Sequence, residues 1–211
     1  MAELEKEILR GGQFLVKETK CEDVFTPEDF SEEQTMMKES VMEFNDREII
    51  PHKARFEAKD FALTEKVMRK AGEMGFLSVA VPEAYGGMGL GYVEVVAMME
   101  QMGKHLLCSP FFSTVCLASN ALLVAGTEEQ KSLWLGKLCE SGLTATVAFN
   151  GGSSSWNADA ITATWKRSGD DFVLNGNYRY VVDGHTSELL IVAAREEGST
   201  AEDGISLFLL P

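Results

Sequence analysis

Lysine and arginine are scarce in this chain. It has 19 basic residues against 33 acidic ones, which gives a net charge of −14 at pH 7. Binding to a phosphate backbone needs clustered basic side chains, and a strongly anionic protein avoids anionic membranes. We therefore expect no nucleic-acid partner. An anionic ligand would need a local basic site or a helix N-terminus to overcome the overall field.

The chain also lacks the long apolar stretches that cross a membrane. It has no run of eighteen apolar residues, and residues 1–12 are charged, without the apolar core of a secretory signal. Its four cysteines, Cys21, Cys108, Cys116 and Cys139, show neither CxxC nor metal-ligand spacing. The sequence predicts free thiols in a reducing compartment, which is the cytoplasm or, in a eukaryote, the mitochondrial matrix. It predicts no metal site.

Two capping boxes mark helix starts, at Ser31 to Gln34 and at Thr127 to Gln130. In this motif a Ser or Thr side chain and a Gln side chain each bond an otherwise unpaired backbone N–H group. Apolar residues at helical spacing predict further helices between the two boxes. The predicted helices cover about residues 31–50, 63–74, 93–103, 116–125 and 127–140.

After Gly142 the apolar pattern becomes that of strands. Runs of β-branched and aromatic residues predict strands at 144–149, 161–165, 171–174, 178–182, 189–194 and 205–210. Asn175-Gly176, between two of these runs, predicts a hairpin turn. Helices followed by strands indicate an α+β chain, in which an all-α N-terminal domain precedes a β-sandwich or barrel-like domain.

Glycine is concentrated in one segment, where Gly86, Gly87, Gly89 and Gly91 precede a helix that starts near Val93. Glycine permits positive φ and close approach of a ligand or another backbone. A glycine-rich turn before a helix also offers N–H groups and the positive end of a helix dipole to an anion. A glycine-rich turn is equally often a simple corner between helices that binds no ligand. The residues alone leave both interpretations open.

The segment Gly75–Gly91 resembles the loop before the third long helix of the acyl-CoA dehydrogenase family. The order of helices and strands is also similar to that family's helical domain and middle β domain. The resemblance covers essentially the whole chain and is strongest over residues 31–140 and 169–195. It implies an N-terminal extension at 1–30, a helical domain at 31–142 and an incomplete β domain at 143–211.

The resemblance implies FAD as cofactor and an acyl-CoA thioester as substrate. By position, Tyr180, Val181 and Val182 would pack on the flavin ring, and Val147, Phe149 and Asn150 would lie at its edge. Substrate contacts would come from Ser155 and from the corner residues Tyr85, Gly86 and Gly87. The chain departs from the family at Val182, where a hydroxyl residue is typical, and at Asn150 and Gly151, where Thr and Glu are usual. On residue type alone, interpretations without a flavin stay open. The Tyr180 segment also fits an ordinary β core, and the segment after Asn150 also fits a flexible Gly/Ser loop.

The family's catalytic base lies in a C-terminal helical bundle, which the resemblance places beyond Pro211. No catalytic residue is therefore named in this chain. An electron-transfer flavoprotein as electron acceptor and a homo-oligomeric full-length protein are also implied. The alternatives are a non-catalytic acyl-CoA or flavin-binding module, a scaffolding module, and one chain of a split enzyme. His185, on a turn, is expected to be exposed to solvent.

Overall fold

A computed structural model describes residue 9 and residues 11–140, 142–151, 155–200 and 202–211. Within these ranges the N-terminal part contains six α-helices: α1 Glu32–Phe44, α2 Lys53–Glu57, α3 Phe61–Glu73, α4 Tyr92–Lys104, α5 Ser119–Ala125 and α6 Glu128–Glu140. None of the helices described is long and apolar enough to cross a membrane.

Both predicted capping boxes are confirmed. Ser31 Oγ accepts from Gln34 N at 3.1 Å, and Ser31 N donates to Gln34 Oε1 at 3.0 Å. Thr127 and Gln130 form the same pair of bonds before α6. Two helices are extended by π-helical turns, Asn45–Ile49 after α1 and Phe112–Ala118 before α5. The predicted helices at 31–50 and 116–125 are each an α-helix joined to one of these turns.

The strands form one mixed sheet: β1 Ala145–Ala148, β2 Thr164–Ser168, β3 Asp171–Asn175, β4 Leu189–Glu196 and β5 Ile205–Leu210. β4 is central. It pairs in parallel with β1 and, at its C-terminal end, with β2, and it pairs antiparallel with β5. β2 and β3 form an antiparallel hairpin. The α+β prediction is confirmed: the helical part is followed by this small mixed sheet.

The prediction of a strand at 178–182, introduced by an Asn175-Gly176 hairpin turn, is wrong. The hairpin turn lies between Ser168 and Asp171, where Gly169 has φ 65°. Gly176 packs closely against Ala163, because a Cβ added to Gly176 would lie only 2.4 Å from the Ala163 Cβ. After β3 the chain therefore does not turn back to pair with that strand, and residues 178–182 form an irregular segment.

The predicted strand at 161–165 is displaced and starts only at Thr164. The preceding residues Ala158–Ala160 form a 3₁₀ turn. The buried side chain of Arg195 bonds this turn and the residue after it: its Nη2 donates to Ala158 O at 3.0 Å, and its Nε donates to Ile161 O at 2.7 Å. At Ile161, where the predicted strand begins, the carbonyl therefore bonds a side chain.

Two buried clusters form the core. The first lies among α1, α3 and α4 and includes Val41, Phe44, Val67 and Met98. The second joins α5 and α6 to β1 and β4, and contains Leu122, Leu135, Leu138, Ala145, Leu189 and Ile191. Helices and sheet therefore share apolar packing on both sides of the predicted boundary at residues 142 and 143, and that boundary stays a prediction.

Candidate functional site

The two segments predicted to contact a flavin meet in the structure. The first is the end of β1 with Phe149 and Asn150, and the second is the irregular segment around Tyr180. The backbone N–H of Arg179 donates to Asn150 O at 3.0 Å. Residues separated by about thirty positions in the sequence are thus joined next to the end of a central strand pair.

The second segment presents an exposed apolar face. Tyr180 is 83% exposed and Val182 is 44% exposed. Val181 lines a groove of about 590 Å³ on the sheet, together with Ala148 and Leu190. Tyr178 anchors the segment, because its hydroxyl donates to Ala193 O at 2.8 Å and burial raises its pKa to about 12.

A cleft of about 600 Å³ adjoins Val182. It lies between the start of α3, the loop at 107–112 and the turn at 182–186. The rings of Phe61 and His185 meet edge to face across it, with centroids 4.9 Å apart. His185 is exposed, as predicted. Among the described residues, the buried Ser109 Oγ at the cleft wall has no hydrogen-bond partner. A buried polar atom of this kind is commonly satisfied by a water or a ligand.

The first segment is more enclosed than the second. Val147 packs against the second core cluster, so its side chain faces the helices. Phe149 contacts the exposed ring of Trp156, with centroids 5.2 Å apart. Ser155 Oγ accepts from Asn157 N at 3.2 Å. The neighbouring Ser153 and Ser154 lie outside the described residues. Flavin contacts of Val147, Phe149 and Asn150 and an acyl contact of Ser155 stay predictions.

Gly151 stands where the family typically has Glu, and the structure gives a physical reason for glycine. A Cβ on Gly151 would lie 2.2 Å from Thr162 Oγ1 and 2.9 Å from Ala160 O. The second atom belongs to the backbone, so it cannot move aside by a rotamer change. A larger side chain at this position would displace the loop that follows β1.

The glycine-rich segment is a tight corner. Its N–H groups bond within the corner: Gly86 N donates to Glu83 O, Gly87 N to Pro82 O and Gly89 N to Val81 O. Gly91 N donates to the Glu94 carboxylate at the start of α4. The interpretation that these glycine N–H groups are available to an anion is therefore wrong. The Tyr85 hydroxyl donates to Glu128 at 2.6 Å, which raises the pKa of Tyr85. Acyl contacts by Tyr85, Gly86 and Gly87 stay predictions.

Polar groups around the second segment were missed by the sequence analysis. Ser113 Oγ donates to Asp183 Oδ2 at 2.8 Å, although these residues are 70 positions apart. The available signal was weak: Ser113 and Thr114 are adjacent hydroxyl residues inside an otherwise apolar run. In the part of the chain that the structure describes, no group of three or more His, Cys, Asp or Glu side chains could hold a metal ion.

Comparison with known proteins gives relatives across the whole chain. The chain is 27% identical over 213 residues to a probable acyl-CoA dehydrogenase of Bacillus subtilis (strain 168), a match that covers 100% of this chain and 35% of that protein. It is 30% identical over 187 residues to the mitochondrial long-chain specific acyl-CoA dehydrogenase of Mus musculus, covering 86% of this chain and 43% of the relative.

Solved structures agree with these relatives. The crystal structure of acyl-CoA dehydrogenase complexed with FAD from Bacillus anthracis matches with a TM-score of 0.84 and 30% identity, over 95% of this chain and 35% of that chain. A chain from the structural work on the electron transferring flavoprotein of Acidaminococcus fermentans matches with a TM-score of 0.76 and 28% identity, over 88% of this chain and 49% of that chain.

The chain spans about a third to a half of the length of these relatives. The family model described as acyl-CoA dehydrogenase, N-terminal domain, matches residues 31–142, which is more than half of the 211 residues. The chain belongs to the acyl-CoA dehydrogenase family.

Proposed function

We propose that this chain supplies the flavin-binding face of an FAD-dependent dehydrogenase that acts on an acyl-CoA thioester. The FAD complex of the Bacillus anthracis relative supports the choice of cofactor. We further propose that an electron-transfer flavoprotein accepts the electrons, that the full-length protein is a homo-oligomer, and that it works in the cytoplasm or the mitochondrial matrix.

The convergence of the two segments carries the proposal. The bond between Arg179 N and Asn150 O joins the end of β1 to the residue before Tyr180, and the side chains of Tyr180 and Val182 are exposed. A planar ring lying on this face would remove that surface from water, and aromatic rings favour stacked or edge contacts. The residues therefore fit the ring of a flavin. The buried hydroxyl of Ser109, beside Val182 in the cleft, is a further polar group that a ligand could satisfy.

When bound, FAD supplies a hydride acceptor for the β-carbon of the thioester, while a carboxylate removes the α-proton. The residues of this chain bind and orient the cofactor and the substrate. No residue of this chain is assigned as that carboxylate. Val182 has no side-chain donor where the family typically has a hydroxyl. Polar contacts to the ring edge would therefore come from backbone N–H groups at the end of β1, with Phe149 and Asn150 as the candidates.

A non-catalytic flavin- or acyl-CoA-binding module, or one chain of a split enzyme, is the second candidate function. The departures at Asn150, Gly151 and Val182 favour it. Gly151 is the strongest of the three, because the packing of Thr162 and Ala160 leaves no space there for the Glu side chain that the family typically carries.

Thermal unfolding with added ligands tests flavin binding, which the first candidate requires, and separates it from an acyl-CoA binder without flavin. A ligand at one hundred times its Kd stabilises the folded state by about 2.7 kcal/mol, or about 5–11 °C in Tm for a chain of this size. We expect FAD to raise Tm in a concentration-dependent way. An unchanged Tm at millimolar FAD would contradict flavin binding. A shift with a coenzyme A ester but not with FAD would instead support an acyl-CoA binder.

A further inference from the structure

The turn after Val182 has a backbone conformation that side chains seldom adopt. Tyr180 and Asp183 have φ angles of 59° and 53°. Non-glycine residues persist in this region only where surrounding contacts impose it. The contacts that hold the turn therefore decide where the exposed faces of Tyr180 and Val182 lie. The functional meaning of those contacts rests on the proposed flavin-binding role of these two side chains.

Asp183 is the centre of these contacts. Its carbonyl oxygen accepts from Thr186 N at 3.0 Å, from Thr186 Oγ1 at 3.2 Å and from Ser187 Oγ at 3.0 Å. Its Oδ2 accepts from Ser113 Oγ at 2.8 Å. The Ser113 hydroxyl also lies 3.1 Å from Pro110 O, and the Asp183 oxygen is the closer of the two acceptors. Ser113 thus ties the turn to the helical part.

The next residue, Thr114, ties down the other flavin-facing segment. Its Oγ1 accepts from Ala145 N at 3.1 Å and lies 3.3 Å from Ala145 O, to which it can donate. Ala145 begins β1, the strand that leads into Phe149 and Asn150. Ser113 and Thr114 are 0% and 1% exposed and belong to the π-helical turn before α5, a geometry that is frequent at functional sites.

The two segments are also bonded to each other. Thr144 Oγ1 donates to Thr186 O at 2.7 Å, and Arg179 N donates to Asn150 O at 3.0 Å. With the bonds from Ser113 and Thr114, these contacts close a network that runs from the buried hydroxyls of Ser113 and Thr114 to the half-buried turn, and a satisfied hydrogen-bond network rigidifies the groups it joins. We propose that Ser113 and Thr114 are positioning residues, whose adjacent hydroxyls set the relative position of the two flavin-facing segments. Neither hydroxyl needs to touch flavin or substrate.

Hydrogen exchange of the flavin-free chain, combined with equilibrium FAD titration, tests the proposal. In Ser113→Ala we expect the amides of residues 179–187, and in Thr114→Val those of residues 145–150, to exchange about tenfold faster, as the loss of one hydrogen bond predicts. In both variants the Kd for FAD should rise about tenfold. Thr114→Ser and Asp183→Asn keep the hydroxyl or an acceptor oxygen, so both values should stay within about twofold of the unaltered chain.

The matched control is Ser78→Ala, which removes a hydroxyl that donates to Gly75 O in the glycine-rich corner. It should leave exchange at 145–150 and at 179–187 unchanged. Should Ser113→Ala fail to fold, Asp183→Ala removes the same bond from the turn. Unchanged exchange in Ser113→Ala and Thr114→Val, or equal acceleration in Ser78→Ala, would overturn the positioning role. If the variants show the expected change in exchange but the unaltered chain binds no FAD, the proposed function is refuted, whereas the hydrogen-bond network is still supported.

Discussion

Gly87 offers a sharp test of the glycine-rich corner, because it is replaceable by alanine without any change of charge or polarity. A Cβ on Gly87 would lie 1.8 Å from Val81 O and 2.3 Å from Val81 C. Both are backbone atoms, so no side-chain rotation relieves the clash. Val81 is 2% exposed, and its carbonyl accepts from Gly89 N at 2.8 Å. The backbone must shift, and the shift breaks this hydrogen bond.

The size of the effect follows from these contacts. Overpacking of a close contact costs about 1–3 kcal/mol, and a lost hydrogen bond adds about 1 kcal/mol. We expect Gly87→Ala to lower the free energy of unfolding by about 2–4 kcal/mol, measured by urea denaturation with the m-value held as a check on two-state behaviour. The corresponding fall in Tm is about 4–16 °C for a chain of this size.

Gly103→Ala is the matched control, since nothing lies within 4 Å of a Cβ on Gly103 in α4. It should stabilise the protein by about 0.5–1 kcal/mol, because alanine is the better helix former. A Gly87→Ala protein with unchanged stability would refute the reasoning from the corner. If that protein also lost stabilisation by coenzyme A esters, Gly87 would belong to a ligand loop instead.

Three further predictions concern the core, the flavin face and a buried thiol. Ile191→Ala, in the core shared by helices and sheet, should lower the free energy of unfolding by about 2–5 kcal/mol in urea denaturation. Leu133→Ala, at a side chain that is 52% exposed, should change it by less than about 0.5 kcal/mol, and equal effects would contradict a shared core. Tyr180→Ala should raise the Kd for FAD about tenfold in fluorescence titration with no change in Tm, while Tyr92→Ala, on α4, should leave the Kd unchanged. Burial raises the pKa of Cys139 to about 11 from its usual value near 9, so the unfolded chain loses this proton first. The neutral thiol therefore contributes fully to stability below pH 9, and this contribution is lost as the pH rises to about 11. In Cys139→Ala the free energy of unfolding should fall less steeply over that pH range, and an unchanged slope would refute the assignment.

Local signals predicted the helical half well. The capping boxes at Ser31 and Thr127 mark helix starts because their hydrogen bonds form between residues three apart. The strand at 205–210 was also predicted with its observed bounds. The π-helical turns were not predicted. In the second of them Thr114 Oγ1 accepts from Ala145 N, 31 positions away, and a local pattern does not show such a contact.

The candidate site was predicted less well than the helices. Residues 178–182 have strand-forming side chains, but the approach of Gly176 to Ala163 and the bond from Arg179 N to Asn150 O impose another path. Strand preference is easily overridden by such tertiary contacts. The positive φ of Tyr180 and the partnership of Ser113 with Asp183 depend on that path. The adjacent hydroxyls of Ser113 and Thr114 were a weak local signal, but they do not show which residue Ser113 bonds.

The most direct test of the flavin-binding face is a hydrogen-exchange difference map of the 211-residue chain with and without saturating FAD. We expect protection to be concentrated at residues 147–151 and 179–184, the two segments that the bond between Arg179 N and Asn150 O brings together. Absence of any protection, or protection confined to the corner at 81–91, would contradict a flavin site on Tyr180 and Val182.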